Sequence, residues 1–368
     1  MGAKQKRKLL SEDLFFVRGV SMVLVVLVHV LGVEGHQGLR GLFQPELPGL
    51  RYTAEFIHIF NMAVMLIGSG VAWRAFGKPD SSLRSFFEKR LKKLVLPLVV
   101  WLPVLMLVEA FSKGRSPTLA GVFGGLIDPD QASIFWFIHA LLWCTFLAFV
   151  LRRFLPRVEY IFPAALVAQL ICSHAAPGSY AAFAVYWFCY FAFGILIQPA
   201  IPAVREWLAS SGRRALLTLA GLLALLYGLY HFSPEVDYQR VRPLAGPVGF
   251  LMQLTLAITL GDLLKRASKA FAGVRGFIVQ SGSVSMALYL FHIYFVSGSR
   301  MAVQRLLQTQ SLPIHLAVGW TLGFFGPWLL WYTLRNNRPF LLTVGMAPEE
   351  KRKTVTAIDP AIAPAFVT

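Results

Sequence analysis

The strongest constraint on this chain is a series of apolar segments, each about as long as a bilayer crossing, that recurs from one end to the other. A helix of roughly 20 apolar residues spans the hydrocarbon core of a membrane, which is about 30 Å thick. The segments lie at 14–33, 52–73, 94–112, 132–151, 158–173, 181–200, 215–231, 245–263, 277–297 and 313–334. We therefore predict an all-α, polytopic integral membrane protein with about ten transmembrane helices.

The composition leaves little room for a soluble domain. Of the 368 residues, 56% are hydrophobic and only 14% are charged, a balance far more apolar than that of an ordinary soluble domain. We predict one membrane domain over residues 1–340 and a disordered cytosolic tail over 341–368, where Ala, Pro, Thr and charged residues dominate. The three cysteines fall in apolar segments without disulfide or metal-ligand spacing, so no metal site is predicted.

The net charge of +17 would suit a nucleic-acid-binding protein, but its distribution along the chain indicates membrane topology instead. If the N-terminus is cytosolic, 27 of the 35 Lys and Arg residues fall on the cytosolic side of the segments and 8 on the other. Such an excess of basic residues in cytosolic loops is the positive-inside rule. Both termini are therefore predicted to be cytosolic, and membrane lipids, not nucleic acid, are the expected partners of this charge.

The first apolar segment carries two ionisable residues that lipid does not favour, Arg18 and His29. An ionisable group inside a membrane is costly unless it lines a polar cavity, so each is a candidate functional residue. Along a helix the two residues fall within about 20° of the same face and are separated by a rise of roughly 16 Å. One face thus holds a cation near the cytosolic edge and an imidazole in the outer half. A topology anchor and a histidine bonded to a carbonyl are the structural alternatives, and the shared face favours a functional role.

Further polar residues lie at a similar depth, in the outer half of the membrane. They are His58 and Asn61 in the second segment, His139 in the fourth and His292 in the ninth. We predict a histidine-lined cavity that opens to the outside, in which a neutral imidazole acts as general base. Taken singly, each of these histidines is more often structural than catalytic.

A basic cluster stands at the cytosolic start of the third segment, in the stretch FFEKRLKKLVLP. It contains Lys89, Arg90, Lys92 and Lys93. The positive-inside rule accounts for part of this charge. Closely spaced cations also form binding sites for phosphate groups. Composition alone leaves both interpretations open.

The order of these residues resembles that of the membrane acyltransferase 3 family from the first segment to the ninth. In its first helix the family has an arginine, ten residues and then a histidine, as Arg18 and His29 do. The other matching elements are Ser69 and Gly70; Phe86, Phe87, Lys89, Arg90, Lys93, Leu94 and Pro97; Trp136 and Phe137; Tyr190, Phe191, Phe193 and Gly194; and Ser285, Tyr289, Leu290 and His292. Each element is weak by itself, and their shared order makes the resemblance specific.

The chain departs from the family's pattern at three positions. Phe15 stands where many members have an aspartate, and the acidic residues Glu12 and Asp13 lie just upstream. Asn61 stands where the family has a histidine, and Lys93 stands where it has an arginine. Lysine keeps the positive charge but loses the bidentate geometry with which arginine binds phosphate.

The resemblance implies an integral membrane O-acyltransferase of the bacterial plasma membrane, with no permanently bound cofactor. The implied donor is cytosolic acyl-coenzyme A, most often acetyl, and the implied acceptor is a hydroxyl group in or beyond the membrane, most simply that of a carbohydrate. Lys89, Arg90 and Lys93 are then expected to bind the phosphates of the donor. His29 and Arg18 are the expected catalytic residues, with His29 acting as the base or forming an acyl-histidine intermediate.

The same resemblance assigns acceptor binding to the remaining polar residues of the outer half, which are His58, Asn61, His139, Tyr289 and His292. The alternative function is a transporter or flippase for a glycolipid or polysaccharide, in which the histidines would relay protons. No repeat relates the two halves of the sequence, and few carboxylates fall within the segments. Both observations favour the enzyme.

Overall fold

The computed structural model describes residues 2–43, 47–77, 82–112, 118–232, 238–267 and 269–346, and every regular element in these ranges is helical. The α-helices are α1 (Ala3–Leu31), α2 (Gly38–Leu42), α3 (Pro48–His58), α4 (Asn61–Phe76), α5 (Leu83–Arg90), α6 (Leu96–Ser112), α7 (Leu119–Ile127), α8 (Trp136–Phe154), α9 (Ile161–Ala175), α10 (Tyr180–Ile197), α11 (Ile201–Ala209), α12 (Gly212–His231), α13 (Tyr238–Ala267), α14 (Lys269–Ser283), α15 (Ser285–Ala302), α16 (Leu312–Leu334) and α17 (Arg338–Thr343).

Nine helical stretches in the described ranges are long and apolar enough to cross a membrane, and a bent pair supplies a tenth crossing if it is counted as one. The prediction of an all-α polytopic protein with about ten spans is thereby confirmed. The observed helices differ from the predicted spans at 277–297, where the sequence predicts one continuous span. Here α14 ends at Ser283, and the chain turns by 89° into α15.

Helix α1 occupies the centre of the bundle, where it packs against α3, α4, α13, α14, α15 and α16. Its contact with α14 is close because two glycines allow it. A Cβ atom on Gly19 would lie 2.1 Å from the carbonyl oxygen of Ile278, and one on Gly282 would lie 1.7 Å from that of Phe15. Small residues at helix interfaces let membrane helices approach backbone to backbone. This contact fixes α14 along the N-terminal half of α1.

A second close contact joins α4 and α10, and it involves two of the glycines that carry the family resemblance. A Cβ atom on Gly70 would lie 1.9 Å from the carbonyl oxygen of Phe191. One on Gly194 would lie 2.1 Å from the carbonyl oxygen of Ile67. The two motifs therefore meet face to face, and each glycine makes room for the backbone of the other helix.

Two of the spans are irregular near the residues that the sequence singles out. The second span breaks at Ile59 and Phe60, between the end of α3 and the start of α4. The third continues from α5 into α6 through a π-helical turn at Leu91–Val95. Irregular backbone at membrane depth is tolerated where it is buried in protein or lines a cavity, and π-turns are frequent at functional sites.

A buried ion-pair network ties α1 to α11 and α14 near the predicted cytosolic side. Asp13 is fully buried, and its carboxylate accepts a hydrogen bond from Arg205. Arg275 lies 3.9 Å from the other carboxylate oxygen of Asp13 and 3.5 Å from Glu12. Removing one partner of a buried pair leaves an uncompensated charge, which is strongly destabilising.

The predicted domain boundary at residue 340 falls inside α17, and the packed chain continues beyond it. Val344 is fully buried, and the indole of Trp101 donates a hydrogen bond to the carbonyl of Thr343 at 3.0 Å. Gly345 adopts a φ of +69°, and a Cβ there would lie 2.4 Å from the carbonyl oxygen of Lys93. Residues 341–346 thus belong to the domain, and the rest of the predicted tail, 347–368, lies outside the described residues.

Substitution of Gly194 by alanine is expected to loosen the contact between α4 and α10. The added methyl group meets backbone atoms of α4 that no rotamer change can move, and overpacking of this kind costs about 1–3 kcal/mol. We expect a lower melting temperature for Gly194→Ala in detergent. The matched control is Gly221→Ala in α12, where nothing lies within 4 Å of the new methyl group. Because alanine favours helix, the control should melt at or slightly above the parent temperature. Equal melting of the two variants would contradict the close contact.

Replacement of Asp13 by leucine is expected to destabilise the protein by roughly 3–5 kcal/mol, the usual cost of breaking a buried ion pair. The double variant Asp13→Leu/Arg205→Leu should recover part of this loss because it also removes a buried guanidinium group. The thermal stability of both variants is measured by heating the protein and using size-exclusion chromatography to quantify the fraction that stays folded. A double variant that melts below the single one would argue against a paired role for these two residues.

Candidate active site

A cavity of about 90 Å³ lies between the outer half of α1 and the break in the second span. Residues of α1, α3, α4 and α15 contribute to it, together with the start of α8. Its lining consists of Val25, Val28, His29, Val33, His58, Asn61, Met62, Ile134, Trp136 and Tyr289. The structure thus brings together four of the polar residues that the sequence singles out: His29, His58, Asn61 and Tyr289.

The imidazole of His29 is the most available polar group of this cavity. It is partly exposed, and neither ring nitrogen has a hydrogen-bond partner among the described residues. The ring of His292 lies beside it, with the two ring centroids 5.0 Å apart. His292 is itself fully buried and contacts the cavity through His29.

Asn61 is held in one orientation by a chain of hydrogen bonds that runs across three helices. Its Nδ2 donates to the carbonyl of Ser21 at 3.0 Å, and the hydroxyl of Ser21 donates to Oε1 of Gln253 at 3.0 Å. Because a carbonyl only accepts, the amide nitrogen of Asn61 must face Ser21. Its Oδ1 is left without a partner among the described residues. Asn61 lines the cavity, and this buried oxygen is an acceptor that no described residue uses.

Sequence reasoning did not single out Ser21 or Gln253. The sequence could have indicated Ser21, because this residue lies one helical turn after Arg18 on α1. Gln253 is a polar residue in the middle of an apolar segment, which is also a signal. Both are fully buried. Their role is to fix Asn61, and only the helix packing shows it.

His139 and Tyr289 make hydrogen bonds that limit what they can offer to a ligand. The Nε2 of His139 is 3.1 Å from the carbonyl of Gly125, and its Nδ1 is 3.2 Å from the hydroxyl of Tyr180. His139 does not line the cavity and instead joins α8 to α7 and α10. The hydroxyl of Tyr289 donates to the carbonyl of Ile134, so only its oxygen can still accept.

The basic residues of the third span come together near Arg18. The charge of Lys93 is subject to repulsion from Arg90, Lys89 and Arg18, which places the four cations within electrostatic range of one another. Arg90 is oriented by a hydrogen bond of 3.0 Å from its Nε to Thr145 and by the ring of Phe86. We call Arg18, Lys89, Arg90 and Lys93 the cationic cluster.

No described acidic residue pairs with Arg18. Asp13 and Glu12, which lie upstream of it on α1, are engaged instead with Arg205 and Arg275. The positive charge of the cluster is therefore available for an anion. A cluster without internal counter-charge is suited to phosphate groups.

A second cavity, of about 280 Å³, opens on the same predicted outer side. Its lining includes the carboxylates of Asp128 and Asp130 and the rings of Tyr180 and Phe183. The two rings are nearly parallel, with an angle of 10° between them. Phe183 also contacts Trp136, which lines the first cavity, at a centroid distance of 6.3 Å. An aromatic wall thus connects the two cavities.

The cationic cluster lies near Arg18, in the middle of α1, and an imidazole without a described hydrogen-bond partner lies about 16 Å further along the same helix. Within the described ranges, no three His, Cys, Asp or Glu side chains come together as ligands for a metal ion. A histidine in this position can act as a general base on a substrate whose anionic group lies at a distance.

Comparison with known families agrees with this geometry. The profile of the acyltransferase 3 family, described as "Acyltransferase domain", matches residues 12–332 and so includes both ends of the site. Comparisons with curated proteins and with solved structures gave no match. The chain therefore belongs to the acyltransferase 3 family, and the protein is a multi-pass membrane acyltransferase that transfers groups other than aminoacyl groups.

Proposed function

We propose that the protein moves an acyl group, in the first instance acetyl, from cytosolic acyl-coenzyme A to a hydroxyl group of a carbohydrate on the other side of the membrane. The observation that carries the proposal is the pairing on α1 of a cation without a counter-charge, Arg18, and an imidazole without a partner, His29. The membrane is the bacterial plasma membrane, with both termini in the cytosol.

The cationic cluster supports the choice of donor. Coenzyme A carries its phosphates at one end of a long flexible arm and the thioester at the other. Arg18, Lys89, Arg90 and Lys93 hold the phosphates, and charge-assisted hydrogen bonds from such groups are about twice as strong as neutral ones. The arm then extends along α1 toward His29, a distance of about 16 Å.

The chemical step uses His29 as general base. Its free ring nitrogen takes the proton of the acceptor hydroxyl, and the oxygen attacks the thioester carbonyl. The carbon–sulfur bond then breaks, and the thiolate of coenzyme A receives the proton from the imidazolium. The Oδ1 of Asn61 accepts a hydrogen bond from the acceptor and orients it, with His58 and Tyr289 beside it. Attack by His29 itself, with an acyl-histidine intermediate, is the alternative sequence of steps.

The second cavity supports a carbohydrate as acceptor. The parallel rings of Tyr180 and Phe183 offer an apolar surface for the face of a sugar ring, and the carboxylates of Asp128 and Asp130 accept hydrogen bonds from hydroxyl groups. Because the aromatic wall continues through Trp136, a sugar held there presents a hydroxyl toward the first cavity. His139, bonded to Tyr180, supports the ring of that residue from behind.

Alanine at His29 or at Arg18 is expected to abolish acyl transfer while the protein still inserts and folds. The His29 variant loses the base, and the Arg18 variant loses the cation at the donor end. Incorporation of label from acetyl-coenzyme A into a carbohydrate fraction measures the effect. The matched control is Arg84→Ala, which should keep full activity, since Arg84 is an exposed arginine of α5 that pairs with Glu88 at 2.9 Å. Full activity in either site variant would exclude the proposed division of roles.

The role of the cationic cluster is tested by a donor without phosphates. Arg90→Ala and Lys93→Ala should each lower kcat/KM for acetyl-coenzyme A by about 10- to 100-fold, the loss expected for one hydrogen bond to a charged group. With S-acetylpantetheine, which lacks the phosphates, the variants and the parent should be equal. A similar loss with both donors would show that the cluster serves the fold or the topology.

The acceptor is identified by product analysis. Mass spectrometry of surface carbohydrates and lipids, from cells that lack the gene and from cells complemented with it, should reveal an O-acyl group present only in the complemented cells. Phe183→Ala should lower the amount of that product because it removes half of the ring surface. An unmodified glycan that fails to reach the cell surface would instead indicate the flippase function.

A further inference from the structure

We propose that His292 is a positioning residue that fixes the tautomer and the ring orientation of His29. This inference rests on the proposed function, in which His29 is the base. It assigns to His292 the part that a carboxylate plays beside the histidine of many hydrolases. In such sites the partner holds the imidazole in the tautomer whose lone pair faces the substrate.

The protonation of His292 is set by its own helix. Its Nδ1 lies 2.7 Å from the carbonyl oxygen of Tyr289, one turn earlier on α15. A carbonyl oxygen only accepts, so Nδ1 carries the hydrogen, and Nε2 carries a lone pair. The ring of His292 is fully buried, so its surroundings hold it in the tautomer that carries the hydrogen on Nδ1.

The lone pair on Nε2 of His292 has no hydrogen-bond partner among the described residues. A buried acceptor left without a donor is unfavourable, which favours a hydrogen bond from any donor within reach. The hydroxyl of Tyr289 is near, with a ring distance of 5.9 Å, but it already donates to the carbonyl of Ile134. The ring of His29 is nearer, at 5.0 Å, and its nitrogens have no described partner.

The distance and the angle between the two rings allow a hydrogen bond between them. The ring planes are tilted by 52°, and the centroids are 5.0 Å apart. A centroid separation of this size is compatible with an N–H···N bond of about 3 Å, which rotation of the His29 ring would bring about while Nδ1 of His292 keeps its bond to the carbonyl of Tyr289. His29 then donates its single N–H to His292. Its other nitrogen, with the lone pair, is directed to the cavity, where the acceptor hydroxyl is to be deprotonated.

A neutral partner suits the depth of this site. None of the residues that line the described cavity is acidic. A carboxylate beside His29 would add a buried charge, and a low-dielectric interior makes such a charge costly. Two neutral imidazoles orient each other without that cost.

The test reads the tautomer of His29 directly. Protein labelled with ¹⁵N-histidine in lipid nanodiscs gives signals for the eight histidines, and those of His29 and His292 are assigned by their absence in His29→Ala and His292→Phe. In the parent protein we expect one protonated and one bare nitrogen on each of the two rings, with Nδ1 protonated on His292. In His292→Phe, the signals of His29 should become those of a tautomer mixture.

Three further variants separate positioning from structure. His292→Gln, whose side-chain oxygen can accept the same hydrogen bond, should restore the single tautomer of His29 in part. His315→Phe is the matched control, because His315 is also buried and bonded to a backbone carbonyl, that of Thr309 at 3.0 Å, and should leave His29 unchanged. In turnover, kcat of His292→Phe should fall about 10- to 100-fold, the usual effect of losing the partner that orients a functional histidine. The KM for acetyl-coenzyme A should stay constant.

The outcomes distinguish this inference from the function on which it rests. A single tautomer of His29 that persists in His292→Phe, or a protonated Nε2 on His292, would overturn the positioning role even if the enzyme is an acyltransferase as proposed. Full activity of His29→Ala would overturn the proposed base. The nitrogen signals would in that case still show whether His292 orients His29.

Discussion

The site depends on the high free energy of an unpaired polar group in the low-dielectric interior of a membrane protein. Arg18 and His29 both lie on α1, the central helix of the bundle, and neither has a hydrogen-bond or ion-pair partner among the described residues. A polar group in such a place is retained at a cost to stability, and that cost is typical of functional residues. By contrast, Asp13 on the same helix is paired with Arg205 and serves the packing of the bundle.

Much of this architecture is predictable from the sequence, because the length of an apolar segment and the spacing of residues along a helix are both local signals. Segment length gives the spans, and the helical period places Arg18 and His29 on one face. Contacts between helices are not local. The sequence predicts His139 at the depth of the cavity, but its ring bonds to Gly125 and Tyr180 and does not line the described cavity, because depth alone does not give the helix face. The bend at Ser283 is likewise missed, because a break within an apolar run leaves its length and hydropathy unchanged.

The polar residues of the membrane interior divide into two kinds according to their hydrogen bonds. Ser21 and Gln253 are bonded to each other, and Ser21 is bonded to Asn61, so this set holds three helices in register. His29 and Asn61, which line the cavity, each retain an acceptor atom without a described partner. A cavity supplied with acceptors binds a ligand that brings donors, and a hydroxyl group is such a ligand. The hydrogen-bond inventory thus agrees with the chemistry of acyl transfer to an alcohol.

The close contact of Gly19 and Gly282 has a consequence for the accuracy of the site. Helix α15 begins three residues after Gly282, and His292 follows two turns later, so the place of its ring is set by how α14 rests on α1. His29 lies further along the same α1. The glycine contact is therefore one of the contacts that set the distance between the two imidazole rings. A shift of α14 on α1 at this point would move His292 relative to His29.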